Sequence, residues 1–185
     1  MESGGAPGAA VRVTGASLAS GDASIDVLRV ADVAFEHLVA LLASHSLQLQ
    51  RVADGAPIPG SFWGEPEAGL VASTVYVRND TPVHSLLHEA CHLIVIPPER
   101  RAQVHTDASD SQHEEDAACY LQILLAGRLP GVGGARLMQD MDAWGYTFRL
   151  GSARAWFTDD AQDARQFLLQ RNLLPDVGQA QSALP

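Results

Sequence analysis

The chain has 185 residues, 46% hydrophobic and 18% charged, enough for one domain with a substantial core. Its formal net charge is −10, and its 12 basic residues are too few for the positive surface that a nucleic-acid binder needs. No apolar run approaches the roughly 18 residues of a membrane span, and two cysteines, Cys91 and Cys119, make no disulfide framework; a cytoplasmic setting is expected.

Residues 1–25 are rich in Gly, Ala and Ser, lack the pattern of a signal peptide, and read as a disordered leader. From Asp26 to Ser46, Val27, Val30, Val33, Leu38, Leu41 and Leu42 recur at helical spacing and predict one helix. Residues 47–52 alternate apolar and polar as a half-buried strand does. A turn-rich stretch, 54–69, carries the aromatic pair Phe62 and Trp63, which can border a cleft or cover the core's edge. Residues 70–78, LVASTVYVR, give the best strand pattern in the chain.

Thr81 and Pro82 then open a predicted helix that must end by Ile96, because Pro97 and Pro98 cannot continue it. A polar loop, 97–111, leads to a second strong helix over 112–129. The glycines of 131–134 precede a short helix over 135–144. Residues 145–156 are ambiguous, and 158–172 predict a last amphipathic helix before a flexible tail, 175–185. The elements describe one α+β domain over 26–174, with a small twisted sheet beside the 83–96 helix and a mostly helical C-terminal half.

The first of those two strong helices carries the chemistry. His88, Glu89 and His92 spell H-E-x-x-H. On a helix the two histidines share a face, roughly 5–6 Å apart at Cβ, and can close on one metal ion. Glu89 projects toward the open side, where it can take a proton from water as general base. A third ligand is needed, and no third histidine follows in 93–98. The acidic start of the 112–129 helix offers one: counting back along its apolar stripe from Ala117 or Ala118 selects Glu114, with Glu115 second. His84, one turn before His88, and His105 and Asp107, in the polar loop, are candidates for contact with substrate or with the ligands. Asp110 could orient a ligating imidazole. Tyr146 and Arg149 could meet substrate, with core packing the plainer role for Tyr146, and Cys91 points off the ligand face toward packing.

H-E-A-C-H followed by Glu-x-x-Ala at the head of an apolar helix, within 70–126, resembles the small intracellular gluzincin-type zinc metallopeptidases. That resemblance implies a minimal zincin core, Zn²⁺ held by His88, His92 and Glu114, and Glu89 as base in peptide or amide hydrolysis; Ala118 departs from the Asn or Asp that often stands at its position. H-E-A-C-H with Arg100 and Arg101 eight and nine residues past His92 is also similar to the elongation factor P hydroxylases. That implies Fe²⁺ and hydroxylation of a modified lysine, although the aromatic segment expected next is replaced by His105–Ser109. A non-catalytic metal-binding domain is the third expectation. A peptide or protein substrate fits the first; no membrane or nucleic-acid partner is expected, and the sequence names no oligomeric state. The loop joining the two ligand helices is expected to become ordered when metal binds.

Overall fold

The computed structural model describes residues 11–12, 26–108 and 111–174. Among these, seven helices and a small mixed sheet form an α+β unit, as the element pattern predicted. Within the expected leader, strand β1 (Val11–Arg12) pairs antiparallel with β5 (Thr147–Phe148); the other leader residues and the 175–185 tail lie outside the described residues. No helix among the described residues is long and apolar enough to cross a membrane.

The helix expected over 26–46 is shorter and later. Residues 30–32 form a 3₁₀ turn, and α1 runs Phe35–Ala43. The backbone before it is spent elsewhere: Val30 N–H donates to the Thr81 carbonyl (2.9 Å), Ala31 N–H to Asn79 (3.0 Å), and Leu28 accepts from Val83 (2.8 Å). Those long-range bonds compete with helical ones, and Val27 and Val30 reach the core from extended and turn backbone.

Strand β2 (Gln48–Arg51) lies parallel to β4 (Thr74–Val77), and β3 (Gly69–Val71) lies antiparallel on its other side. The single strand expected over 70–78 is therefore a tight hairpin. Its reversal at Ala72 needs a left-handed backbone, φ 53°, at a residue with no glycine or asparagine to announce it. The register sets Leu70 opposite Val75, so both side chains are buried on the face that meets the helices. The outer edge of β3 is covered, because Leu70 N–H donates to Gly60, Ala72 N–H to Val104, and Leu70 accepts from Thr106.

Helix α2 (Val83–Val95) lies beneath this sheet, and all 13 of its residues are buried. Pro82 precedes it, and Ile96 is already extended, as a residue before proline prefers. The polar stretch after it holds a short helix, α3 (Pro98–Arg101). Helix α4 (Gln112–Ala126) packs along α2; Ser111 caps it by accepting the Glu114 N–H at 3.3 Å. Helices α5 (Gly134–Trp144), α6 (Ala153–Asp159) and α7 (Gln162–Gln170) complete the C-terminal half. The last predicted helix is thus two, parted at Asp160 and Ala161, and the ambiguous 145–156 stretch holds β5 and the start of α6. Trp156 anchors this end, with ring centroids 5.4 Å from Phe148 and 6.5 Å from Tyr120.

Backbone segments approach closely where 59–61 crosses Gly69. A methyl group there would overlap the Pro59 carbonyl oxygen and the Ser61 amide nitrogen, neither of which can swing aside. Gly69→Ala should therefore destabilise the fold by about 1–3 kcal/mol or more, the range for overpacking. Urea unfolding of the variant against the unsubstituted protein checks this.

Candidate metal centre

Helical spacing on α2 brings the two imidazoles together as expected. His88 Nε2 and His92 Nε2 are 3.0 Å apart, with ring centroids 4.4 Å apart. Glu115 of α4 straddles them: Oε1 lies 3.3 Å from His88 Nε2 and Oε2 3.4 Å from His92 Nε2. Ligands about 2.0–2.2 Å from one tetrahedral zinc ion would stand roughly 3.4 Å from each other. The two nitrogens and the carboxylate already form such a face.

The third donor expected first, Glu114, is paired with arginines, although its charge still reaches His92. Its carboxylate takes Arg100 of α3 at 2.9 Å and has Arg171, just past α7, at 3.8 Å. Nearly every residue of α4 from Ala117 to Ala126 is buried, so its apolar pattern has no single stripe pointing at α2. Counting back along that pattern found the side toward α3 and α7. Glu115, the second choice, shares its face with Cys119, which does look toward α2.

Cys119 went unnoticed as a donor. Its sulfur lies 3.9 Å from His88 Nδ1 and 3.9 Å from Glu115 Oε1. His88, Glu115 and Cys119 form a buried group whose donor atoms all lie within 4.8 Å of one another and could hold a metal ion. The ring nitrogen of His88 that meets Cys119 is the one opposite His92 and Glu115. One ion can take only one of these faces of His88, and the face shared with His92 has the shorter spacings. Burial holds the Cys119 thiol well above its ordinary range, and the Glu115 and Asp116 charges push the same way. It is a neutral thiol beside the second nitrogen of His88.

The charges of the centre are coupled. Burial opposes the charged form of His88, but the Glu115 carboxylate outweighs it, with Glu89 and Glu67 adding to the pull, and the pKa rises. Burial and the charge of His88 drop His92 to about 4, against the pull of Glu115. Burial would raise Glu115 too, yet His88 holds it at about 2. Glu89 is pushed up to about 8 by burial, against the pull of His88 and with the help of Glu115, Glu67 and Asp107.

Other expected residues are placed as follows. His84 is completely buried and, among the described residues, neither ring nitrogen has a hydrogen-bond partner; its ring packs 5.2 Å from Trp144 and 5.5 Å from Tyr146. Burial and the His88 charge drop it to about 3, so it is a neutral member of the wall. His105 is exposed, and its Nδ1 is 2.8 Å from the Thr106 hydroxyl. Asp107 is exposed at the rim, where its charge reaches Glu89 and His92. Asp110 lies outside the described residues. Arg149 pairs with Asp160 on the surface, away from the histidines. Tyr146, expected as core, packs its ring 5.8 Å from His88 at 90°.

Glu67 was missed altogether. It stands before β3, 8% exposed, and accepts from Trp144 Nε1 at 3.0 Å. No motif marks it, since it comes from a turn-rich stretch 21 residues before His88, and only the folded hairpin carries it there. Comparison with known proteins finds no matching family model, curated protein or solved structure.

The two glutamates can be told apart by metal binding. Glu115→Ala should weaken zinc binding by roughly two orders of magnitude or more, as loss of a donor does. Glu114→Gln should retain zinc and instead lower the melting temperature, because it removes the buried charge that Arg100 pairs with. Titration of both variants with a competing zinc indicator, beside thermal unfolding, measures the two effects.

Proposed function

We propose that the chain is a metal-dependent hydrolase that cleaves an amide or peptide bond. In this reading His88, His92 and Glu115 hold one divalent ion, zinc by preference, and Glu89 is the general base. The observation that carries it is the closed face of two Nε2 atoms and one carboxylate at 3.0, 3.3 and 3.4 Å, with Glu89 on the same helix beside the first donor. The donor chemistry fits, since neutral imidazole and carboxylate are the ordinary partners of catalytic zinc. His92 Nδ1 has no partner among the described residues, so its Nε2 is not held in place by a second-side acceptor and relies on packing.

A bound ion supplies Lewis acidity, lowering the pKa of water at its open position toward about 7. Glu89 is suited to accept that proton. It is carried next to His88 on α2, which is buried along its whole length, and as a carboxylate it would take the proton and return it to a leaving amine. The loop from Pro97 to Ala108 forms one wall: Arg100 donates to the Ala108 carbonyl at 3.3 Å, and Thr106 N–H to Leu70.

Two histidines and one carboxylate are also the donor set of non-haem iron oxygenases, and this supports iron-dependent hydroxylation as the second reading. The arginine pair that suggested it does other work here, Arg100 on Glu114 and Arg101 on the Leu93 carbonyl at 2.6 Å. Metal analysis of the purified protein separates the readings: stoichiometric zinc is expected, stoichiometric iron would favour the hydroxylase, and no metal would leave neither. In the zinc protein, Glu89→Gln should bind the ion as before and lose roughly 10²–10⁴ in turnover of a peptide substrate. Undiminished turnover in that variant would remove Glu89 as the base.

A further inference from the structure

His88 turns its two ring nitrogens toward two different sets of donors. Nε2 faces His92 and Glu115, the face on which the hydrolase reading places its ion. Nδ1 faces the Cys119 sulfur of α4 at 3.9 Å. In a zinc site the second nitrogen of a ligating histidine almost always donates to a carboxylate, a carbonyl or water. Among the described residues the partner of Nδ1 is instead a thiol. The same sulfur lies 3.9 Å from Glu115 Oε1, and the donor atoms of His88, Glu115 and Cys119 all fall within 4.8 Å of one another. Glu115 and Cys119 are four residues apart on α4, so one helix face presents both to α2.

This group differs from the first in spacing and in chemistry. Bonds of about 2.3 Å to sulfur and 2.0–2.1 Å to nitrogen in a tetrahedral zinc site hold those atoms roughly 3.6 Å apart. Both sulfur distances exceed that, whereas the 3.0, 3.3 and 3.4 Å spacings on the other face do not. A wider group that includes a thiol suits a larger and softer ion, because thiolate selects soft metals. Cys119 and His88 are buried, and the Glu115 side chain, 22% exposed, is the donor that reaches solvent. The two positions also compete. A neutral imidazole has one N–H and one acceptor nitrogen. An ion on Nε2 leaves the proton on Nδ1, and an ion on Nδ1 leaves it on Nε2, where no second ion can then bind. Glu115 is claimed by both.

We propose that Cys119, His88 Nδ1 and Glu115 form a site for a soft, thiophilic metal ion, and that filling it excludes an ion from the face shared by His88, His92 and Glu115. On coordination the thiol proton leaves to solvent and the His88 proton passes from Nδ1 to Nε2, with no change of oxidation state. The exclusion rests on the metal position of the hydrolase reading; the soft-ion site does not.

Cd²⁺ is the probe. Metal-free protein with both thiols reduced is titrated with Cd²⁺ while the ultraviolet thiolate-to-cadmium charge-transfer band is followed, and the band should saturate at one ion per chain. Cys119→Ala should remove the band and raise the Cd²⁺ needed for half-saturation, read by calorimetry, roughly tenfold or more. Cys91→Ala and His92→Ala should keep the band. Zinc-loaded protein should release one zinc for each cadmium bound, measured with a competing indicator. Because Cys119 is buried and its replacement can unfold the chain, cadmium–nitrogen coupling in the imidazole NMR spectrum of the unsubstituted protein gives a reading without a variant: it should fall on Nδ1 of one histidine. No band, a band that survives Cys119→Ala or is lost in Cys91→Ala, or coupling to Nε2 of two histidines would overturn the site. A saturated band with zinc still bound would overturn the exclusion. Failure of zinc to bind, beside a band that depends on Cys119, would sink the hydrolase reading and leave the soft-ion site standing. Zinc binding that needs His92, with no cadmium band, would do the reverse.

Discussion

A helix buried over its whole length must find partners for its polar side chains inside the protein, because burying them alone costs several kcal/mol each. Helix α2 carries His84, Ser85, His88, Glu89 and His92 into that position. The protein answers differently for each. Ser85 meets a backbone N–H, His88 and His92 meet Glu115, and Glu89 is left as a carboxyl pushed up to about 8. His84 and the second nitrogen of His92 meet nothing among the described residues. Burial of this kind weakens a fold unless the groups have a use, and the three that converge are those that metal chemistry requires.

Glu115 depends on how α4 is turned, and neighbouring charges set that turn. Glu114 and Glu115 are adjacent, about 100° apart around the helix, so they cannot both face α2. Arg100 from α3 takes Glu114 at 2.9 Å, and Arg171 approaches it after stacking on Phe167, 4.2 Å from the ring centroid. With Glu114 drawn to that side, Glu115 is left toward the histidines. Arg101 does a separate job. It bonds the Leu93 carbonyl near the C-terminal end of α2, where a cation suits the helix dipole. Two consecutive arginines thus tie α2 and α4 to one short element.

Much of this was legible. H-E-x-x-H with proline on both sides gave α2 nearly to the residue, and the mixed pattern gave α+β. The failures share a cause: a local pattern was read where a distant partner decides. The 26–46 period looked helical because the same valines are buried from backbone that bonds across to 79–83. The 70–78 run looked like one strand because its β-formers continue through Ala72, whose left-handed turn depends on the pairing it creates. Glu114 was favoured over Glu115 because periodicity assumes one buried stripe, and α4 is buried almost all round. Glu67 had no signal, since its place follows from a hairpin, a tryptophan from α5 and a serine of α2.

The same packing bears on what a metal would add. In small zinc-stabilised domains the ion makes the fold, because little else joins the ligands. Here α2 and α4 are already joined by Leu87, Ala90, Cys91, Ala117, Ala118 and Leu121 in one core. The connecting loop is pinned as well, through Arg100 to Ala108 and Thr106 to Leu70. The donors therefore stand at metal spacing because of side-chain packing, so little conformational entropy is left to lose on binding. An ion bound this way stabilises by mass action, about 4 kcal/mol at a thousandfold excess over its dissociation constant. On the hydrolase reading proposed above, the rigidity would matter more for chemistry than for folding: a base and three donors fixed beforehand would need no rearrangement when charge develops.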